Sequence, residues 1–272
     1  MLFQIPARNK KPAADGRAAA RSAAHGSRVS RTSPERGEYP PAPDNTTLYV
    51  IGDVHGCSAL LEDLHKRLDR DLARHGKTKA VEIYLGDYID RGENSAQVIS
   101  ELLNRAATRN VVCLRGNHED MLLSFMREPA SLEPWLRLGG GATLASYGVK
   151  LGRSSDRHPP GIQTDLIARM PADHLRFFET LPTKFEIGGY FFAHAGVRPA
   201  IGLSAQTDED LTTIRAPFLD HTTSFGRIVV HGHTPVLTPE FHPNRINIDT
   251  GAFATGTLTC LKIDSSGPQI LP

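Results

Sequence analysis

Cysteine is scarce. The 272-residue chain has only Cys57, Cys113 and Cys260, with no C-x-x-C pair among them. An odd count without paired spacing argues against a disulfide scaffold and fits a reducing, cytoplasmic setting. Cys57 reads as a small buried hydrophobe. Long apolar runs are missing too: none reaches the ~18 residues of a membrane span, so no membrane partner is expected. Net charge is nearly absent at +1, but it is unevenly spread: residues 1–37 carry eight basic side chains against Asp15 and Glu35. The remaining residues sum to −5. Such a mildly acidic body lacks a nucleic-acid footprint, so contact with nucleic acid is expected only through the basic segment. That segment has no apolar stretch like that of a secretory signal, and Pro and Gly interrupt any amphipathic period. Residues 1–44 therefore read as a disordered basic arm and linker, ahead of a single domain over 45–272.

Three short motifs stand out against this ordinary composition. Residues 52–56 read Gly-Asp-Val-His-Gly, residues 86–92 read Gly-Asp-Tyr-Ile-Asp-Arg-Gly, and residues 116–119 read Gly-Asn-His-Glu. Each follows a strand-like apolar run: Leu48 to Ile51, Val81 to Leu85 and Val111 to Leu114. Helical spacing follows each in turn, beginning with Leu61, Leu64 and Leu68 behind Ser58. This cadence predicts an α/β fold with a largely parallel sheet, whose ligands gather at the carboxyl ends of the strands. Asp53, His55, Asp87 and Asn117 mix oxygen and nitrogen donors and are too many for one open zinc site. They suit a pair of divalent metals, which clamps and cleaves phosphate esters.

From about 132 to 182 the pattern turns helical and loop-rich, read as a cap inserted between halves of the core. Strands then return, and two of them run into histidine: Tyr190–Ala193 into His194, and Ile228–Val230 into His231-Gly232-His233. His231 and His233 are two apart and would share a face of a continuing strand, so at least one should reach the metals. The other histidines, His25, His65, His75, His158, His174, His221 and His242, sit in polar or loop contexts and read as surface.

From about Leu48 to Ile263 the chain closely resembles the phosphoprotein phosphatase branch of the calcineurin-like metallophosphoesterases, in its bacterial serine/threonine phosphatase form. The resemblance rests on the three motifs, on His194-Ala195-Gly196, on His231-Gly232-His233-Thr234-Pro235, and on the run from Asn244 to Gly251. It implies a metallophosphoesterase-type β-sandwich flanked by helices. It implies further that Asp53 and His55 hold one metal, that Asp87 bridges, and that Asn117, His194 and His233 hold the second. His118 becomes the proton donor oriented by Asp90, and Arg91 a phosphate ligand. Arg215 is a second candidate, ending a segment in which the family usually carries Trp where Thr213 stands.

What this implies chemically is a phosphoserine/phosphothreonine phosphatase acting on phosphoprotein substrates through a hydroxide activated by two divalent ions. Manganese is the first expectation, with iron or zinc as alternatives. A dinucleoside polyphosphate hydrolase is the rival within the fold. Such enzymes typically lack the acid at position 90 and read Gly-Asn-His-Asp, so Asp90 and Glu119 favour the phosphatase. A non-catalytic phosphoprotein-binding scaffold is the rival from another class, and the complete ligand set argues against it.

Overall fold

The computed structural model describes residues 39–75, 79–153 and 158–272. The basic arm over 1–38 lies outside these residues. Among the described residues, the chain runs β1 (Thr46–Ile51), α1 (Ser58–His75), β2 (Lys79–Tyr84), α2 (Ser95–Ala106), β3 (Val111–Cys113) and α3 (Asn117–Arg127). The insertion supplies α4 (Leu132–Arg137), α5 (Gly140–Ser146), α6 (Pro159–Arg169) and α7 (Ala172–Thr180). The second half holds β4 (Lys184–Ile187), β5 (Tyr190–Ala193), α8 (Asp208–Thr213), α9 (Ala216–Leu219), β6 (Ile228–His231), β7 (Glu240–His242) and β8 (Arg245–Asn247). α10 (Ala252–Thr255), β9 (Cys260–Asp264) and β10 (Gly267–Ile270) close the chain.

Two five-stranded sheets result, ordered β10-β9-β1-β2-β3 and β4-β5-β6-β8-β7. Each has a parallel heart, β1-β2-β3 in one and β5-β6-β8 in the other. Antiparallel strands complete them: β9 and β10 beside β1, and β4 and β7 on the two margins of the second sheet. Strand alternation explains why the sheets pack as a sandwich. Leu48 and Val50 of β1 join Val81 and Ile83, and meet Tyr190, Phe192, Val230 and Ile246 of the second sheet in one core. Tyr49 and Ile51, on the opposite face of β1, pack instead with Leu61, Leu64 and Leu68 of α1 and Val98, Ile99 and Leu102 of α2. A strand buried on both faces reads as a continuous apolar run, as β1 does from Leu48 to Ile51.

The insertion is part of this helical layer. Trp135, Leu144, Leu166 and Phe178 are fully buried and share a cluster with α2 and α3. The inserted segment thus packs as a structural layer of the core, beneath the loops at the strand ends.

Folded chain also begins earlier than the proline-rich composition of residues 39–44 suggested. Tyr39 and Ala42 are buried. The Tyr39 hydroxyl donates to the His242 carbonyl at 3.1 Å, its ring meets Phe241 edge-on, and the Ala42 N–H donates to the Asp264 carbonyl at 3.0 Å. This segment bridges the edge strand β7 of one sheet and the inner strand β9 of the other. Tyr39→Ala is therefore expected to cost roughly 2–4 kcal/mol, the scale for emptying a large aromatic site. Urea unfolding of the full chain measures it, and an unchanged midpoint would contradict the packing role.

Candidate active site

Six parallel strands end at one place. β1 runs into Asp53 and His55, β2 into Asp87, β3 into Asn117, β5 into His194, β6 into His233, and β8 into Asp249. Backbone hydrogen bonds lace these ends together. The N–H groups of Val54 and His55 donate to the Asp87 carbonyl, that of Gly56 to Tyr88, and that of Gly232 to His194. Side chains far apart in sequence therefore meet where the two sheets share an edge, as expected for ligand sites at strand carboxyl ends.

The loops reach this geometry at a conformational cost. Among the described residues, seven that are not glycine have positive φ, and five of these are His55, Asp87, Asp90, Arg91 and His233. Left-handed backbone is unfavourable for residues with a Cβ and persists only where surrounding contacts over-determine it. Glycine does the rest by leaving room. A Cβ at Gly116 would lie 2.2 Å from Asp87 Oδ1, and one at Gly232 would lie 2.1 Å from Asp53 Oδ1. Those glycines let backbone press against the two carboxylates.

Asp87 is the centre. Its carboxylate belongs to two buried groups of potential ligand atoms, one with His55 and His118 and one with His194 and His233, each within 4.8 Å. Asn117 Oδ1 lies 3.1 Å from His194 Nε2 and so joins the second group. The far nitrogens are fixed: His55 Nδ1 donates to the Ile89 carbonyl at 2.9 Å and His194 Nδ1 to the Leu85 carbonyl at 3.1 Å. Each bond turns Nε2 inward, the usual way a backbone carbonyl sets the tautomer of a metal-binding histidine. Burial pulls His55 down to about 4 and His233 down to about 3. Both are neutral near pH 7, the form that binds cations.

Two further observations fit this donor set to metal ions. His233 Nε2 is buried and has no hydrogen-bond partner, a polar atom of a kind that folded proteins rarely leave unsatisfied. Burial, with the charges of Asp249 and Asp87, pushes the Asp53 carboxyl well above the usual carboxylate range. Carboxylates crowded in this way call for positive charge.

Asp53 differs from its expected place in one respect. It falls in neither compact group, and its carboxylate accepts the His233 N–H at 3.1 Å. His231 departs more clearly. β6 ends at this residue, and His233 beyond it has φ of 65°, so the two do not share a face. His231 turns away to meet Phe218 edge-on and lies 3.4 Å from Arg245. Two histidines read as surface are also enclosed. His174 is buried between Ser100 and Tyr147, and half-buried His65 bonds the Tyr84 hydroxyl at 2.8 Å.

His118 opens α3 and faces both ways. Its Nδ1 donates to Asp90 Oδ2 at 2.6 Å, and its Nε2 lies 3.8 Å from Asp87 and 3.4 Å from the Arg91 guanidinium. Burial disfavours the charged ring, but the Asp87 carboxylate and the Asp90 hydrogen bond prevail and push it up to about 9. Asp90 is enclosed completely. Trp135 Nε1 donates to it at 2.8 Å and Thr143 Oγ1 at 2.6 Å, both from the insertion. Glu119 is equally buried and accepts three backbone N–H groups, those of Asp87, Tyr88 and Gly116. It fastens the second motif to the third.

The two arginines stand at the mouth. Arg91 is exposed, with its N–H on the Gly139 carbonyl and its guanidinium 4.7 Å from the centre of the Phe253 ring. Arg215 is exposed as well, and donates to the His233 carbonyl at 3.4 Å. The segment before it is held by the ion pair of Arg198 with Asp210, while Thr213 faces outward. Asp249, Trp135, Thr143 and Phe253 went unassigned in the sequence. Asp249 had the signal: an acid beside Thr-Gly just past an apolar strand.

A cluster of this chemistry, at the joined edges of two mixed sheets, defines a metal-dependent phosphoesterase. The chain belongs to the calcineurin-like phosphoesterase family, whose model matches residues 46–252. It is 28% identical to the asymmetrical bis(5'-nucleosyl)-tetraphosphatase PrpE of Anoxybacillus flavithermus, over 78% of this chain and 89% of that protein. The corresponding protein of Geobacillus sp. strain WCH70 is 26% identical, over 82% and 94%. Among solved structures, a candidate diadenosine tetraphosphatase superposes with a TM-score of 0.59 at 19% identity, covering 85% of this chain and 95% of the other. A cold-active protein tyrosine phosphatase variant gives 0.53 at 15% identity, covering 89% of each. At those identities the structures speak for the fold alone. Both of these curated relatives are tetraphosphatases, whereas the expectation from the motifs was the phosphoprotein phosphatase branch. Among the described residues no helix is long and apolar enough to cross a membrane.

Proposed function

We propose that this chain hydrolyses dinucleoside polyphosphates asymmetrically, splitting a bis(5'-nucleosyl) tetraphosphate into a nucleoside monophosphate and a triphosphate. The observation that carries this reading is the match to bis(5'-nucleosyl)-tetraphosphatases along most of both chains. The phosphoserine expectation rested on Asp90 and Glu119. Neither carboxylate faces a leaving group: Glu119 is spent on backbone N–H groups, and Asp90 is closed in by His118, Trp135 and Thr143. Both hold a frame that any phosphoester substrate would need, so they do not choose between substrates.

In this reading Asp53, His55, Asp87, Asn117, His194 and His233 hold two divalent ions, with manganese the first candidate. When bound, such ions acidify water and neutralise phosphate charge. Arg91 and Arg215 present planar forks suited to pairs of phosphate oxygens. His118 Nε2 delivers a proton to the departing oxygen while Asp90 fixes the ring. The phosphate released from an anhydride is a far better leaving group than a serine alkoxide, so the proton matters less here.

The test is product analysis. The manganese-loaded protein, given diadenosine tetraphosphate, should release adenosine monophosphate and triphosphate in equal amounts. Two diphosphates would show symmetrical cleavage. Turnover of a phosphoserine peptide far above that of the tetraphosphate would restore the phosphatase reading.

A further inference from the structure

Among the described residues only six large apolar side chains are markedly exposed, and three belong to segments around this site: Leu138, Leu237 and Phe253. Leu138 precedes Gly139, whose carbonyl accepts from Arg91. Leu237 follows Val236, whose N–H donates to the Asp249 carbonyl. Phe253 is the aromatic one and lies nearest the chemistry. Gly251, with φ of 63°, starts the short turn of α10 and lifts Phe253 out of the core, leaving the residue 40% exposed. The ring stands edge-on to His55 at 5.4 Å, and the Arg91 guanidinium lies 4.7 Å from its centre.

We infer that Phe253 is the stacking platform for the nucleobase next to the phosphate that Arg91 grips. This inference rests on the proposed hydrolysis of dinucleoside polyphosphates. A half-exposed phenyl ring at the rim of a highly charged site offers a flat apolar surface on which a planar group can stack. Because the Arg91 guanidinium lies 4.7 Å from the ring centre, a phosphate gripped there would carry its own nucleoside toward that ring. Every base has a π-face, so stacking there would favour nucleotides over base-free phosphates with little choice among bases. Arg91 would then serve two ends, binding phosphate through its N–H edge while its flat face holds the ring in place.

The competing account is that Phe253 only positions Arg91. The two differ in which substrates suffer. Kinetics of the manganese-loaded wild type, Phe253→Leu and Phe253→Trp would be compared on diadenosine tetraphosphate and on inorganic tripolyphosphate. Calorimetric binding of adenosine monophosphate and of ribose 5-phosphate adds a readout independent of turnover. Stacking predicts that Phe253→Leu raises KM for the tetraphosphate about tenfold and weakens adenosine monophosphate binding by a similar factor, within the range known for base–aromatic contacts. Ribose 5-phosphate binding and tripolyphosphate kinetics should change far less, and Phe253→Trp should keep nucleotide affinity. Equal losses on nucleotide and base-free ligands would overturn the inference in favour of the positioning role, as would unchanged affinity for all of them. If the wild type cleaves the tetraphosphate but Phe253→Leu does not discriminate, the inference alone falls. If the wild type neither cleaves it nor prefers adenosine monophosphate to ribose 5-phosphate, both readings fall.

Discussion

Asp87→Asn is expected to bring turnover to background and to strip metal from the purified protein in the same step. The reason is position. Asp87 Oδ2 lies 3.3 Å from His194 Nε2 and 3.6 Å from His55 Nε2, so one oxygen faces both groups of ligand atoms. Oδ1 accepts the His118 N–H at 3.1 Å and thereby sets the start of α3. Asparagine keeps the size and one acceptor, so the loops should stay folded. It loses the charge that faces both groups, however, and leaves Asp53 as the only carboxylate among the candidate ligands to offset two buried cations. Metal content per chain, thermal unfolding and turnover should be measured on one preparation. A variant that unfolds like wild type but binds no metal is the expected result. Two ions retained with near-normal turnover would show that Asp87 bridges nothing.

The same centre shows how far the sequence could be read. Each strand leading to a candidate ligand is largely apolar and closely followed by glycine, a pattern visible in a single chain, and that is why Asp53, His55, Asp87, Asn117 and His194 stand out in the sequence. Their convergence on one edge followed from the parallel order of the strands. Edge strands were harder. β7 is three half-buried residues, and β10 carries Pro268 with two exposed positions, so neither shows a clean alternation. Tyr39 was hidden because the prolines after it read as a linker, although they lie against the sheet. The His231–His233 pairing failed because a period of two holds only while the strand lasts. Substrate specificity is harder to read, for a different reason. Asp90 and Glu119 lie in the motifs, but burial has spent them on the frame, and Phe253, exposed at the rim beside Arg91, belongs to no motif that spacing reveals.

His118→Asn tests whether the frame around Asp90 serves proton delivery. It is expected to leave metal content intact while slowing phosphoserine-peptide hydrolysis by about 10²–10⁴, the usual share of general acid catalysis. On diadenosine tetraphosphate the loss should be smaller, because the departing phosphate needs a proton less than an alkoxide does. The graded loss is what separates a proton donor from a ligand, since His118 also sits with His55 and Asp87 in one compact group. Loss of an ion together with equal losses on both substrates would make it a ligand. Asp90→Asn provides the second arm. Trp135 and Thr143 both donate to this carboxylate, so an amide there must turn its NH₂ toward a donor or surrender the bond from His118 Nδ1. Either outcome removes the carboxylate charge that pairs with the ring, so the variant should share the substrate-graded loss of His118→Asn. The double variant should then lose little more than His118→Asn alone, because a positioning residue has nothing left to position. Additive losses would mean that Asp90 acts on the reaction by a route of its own.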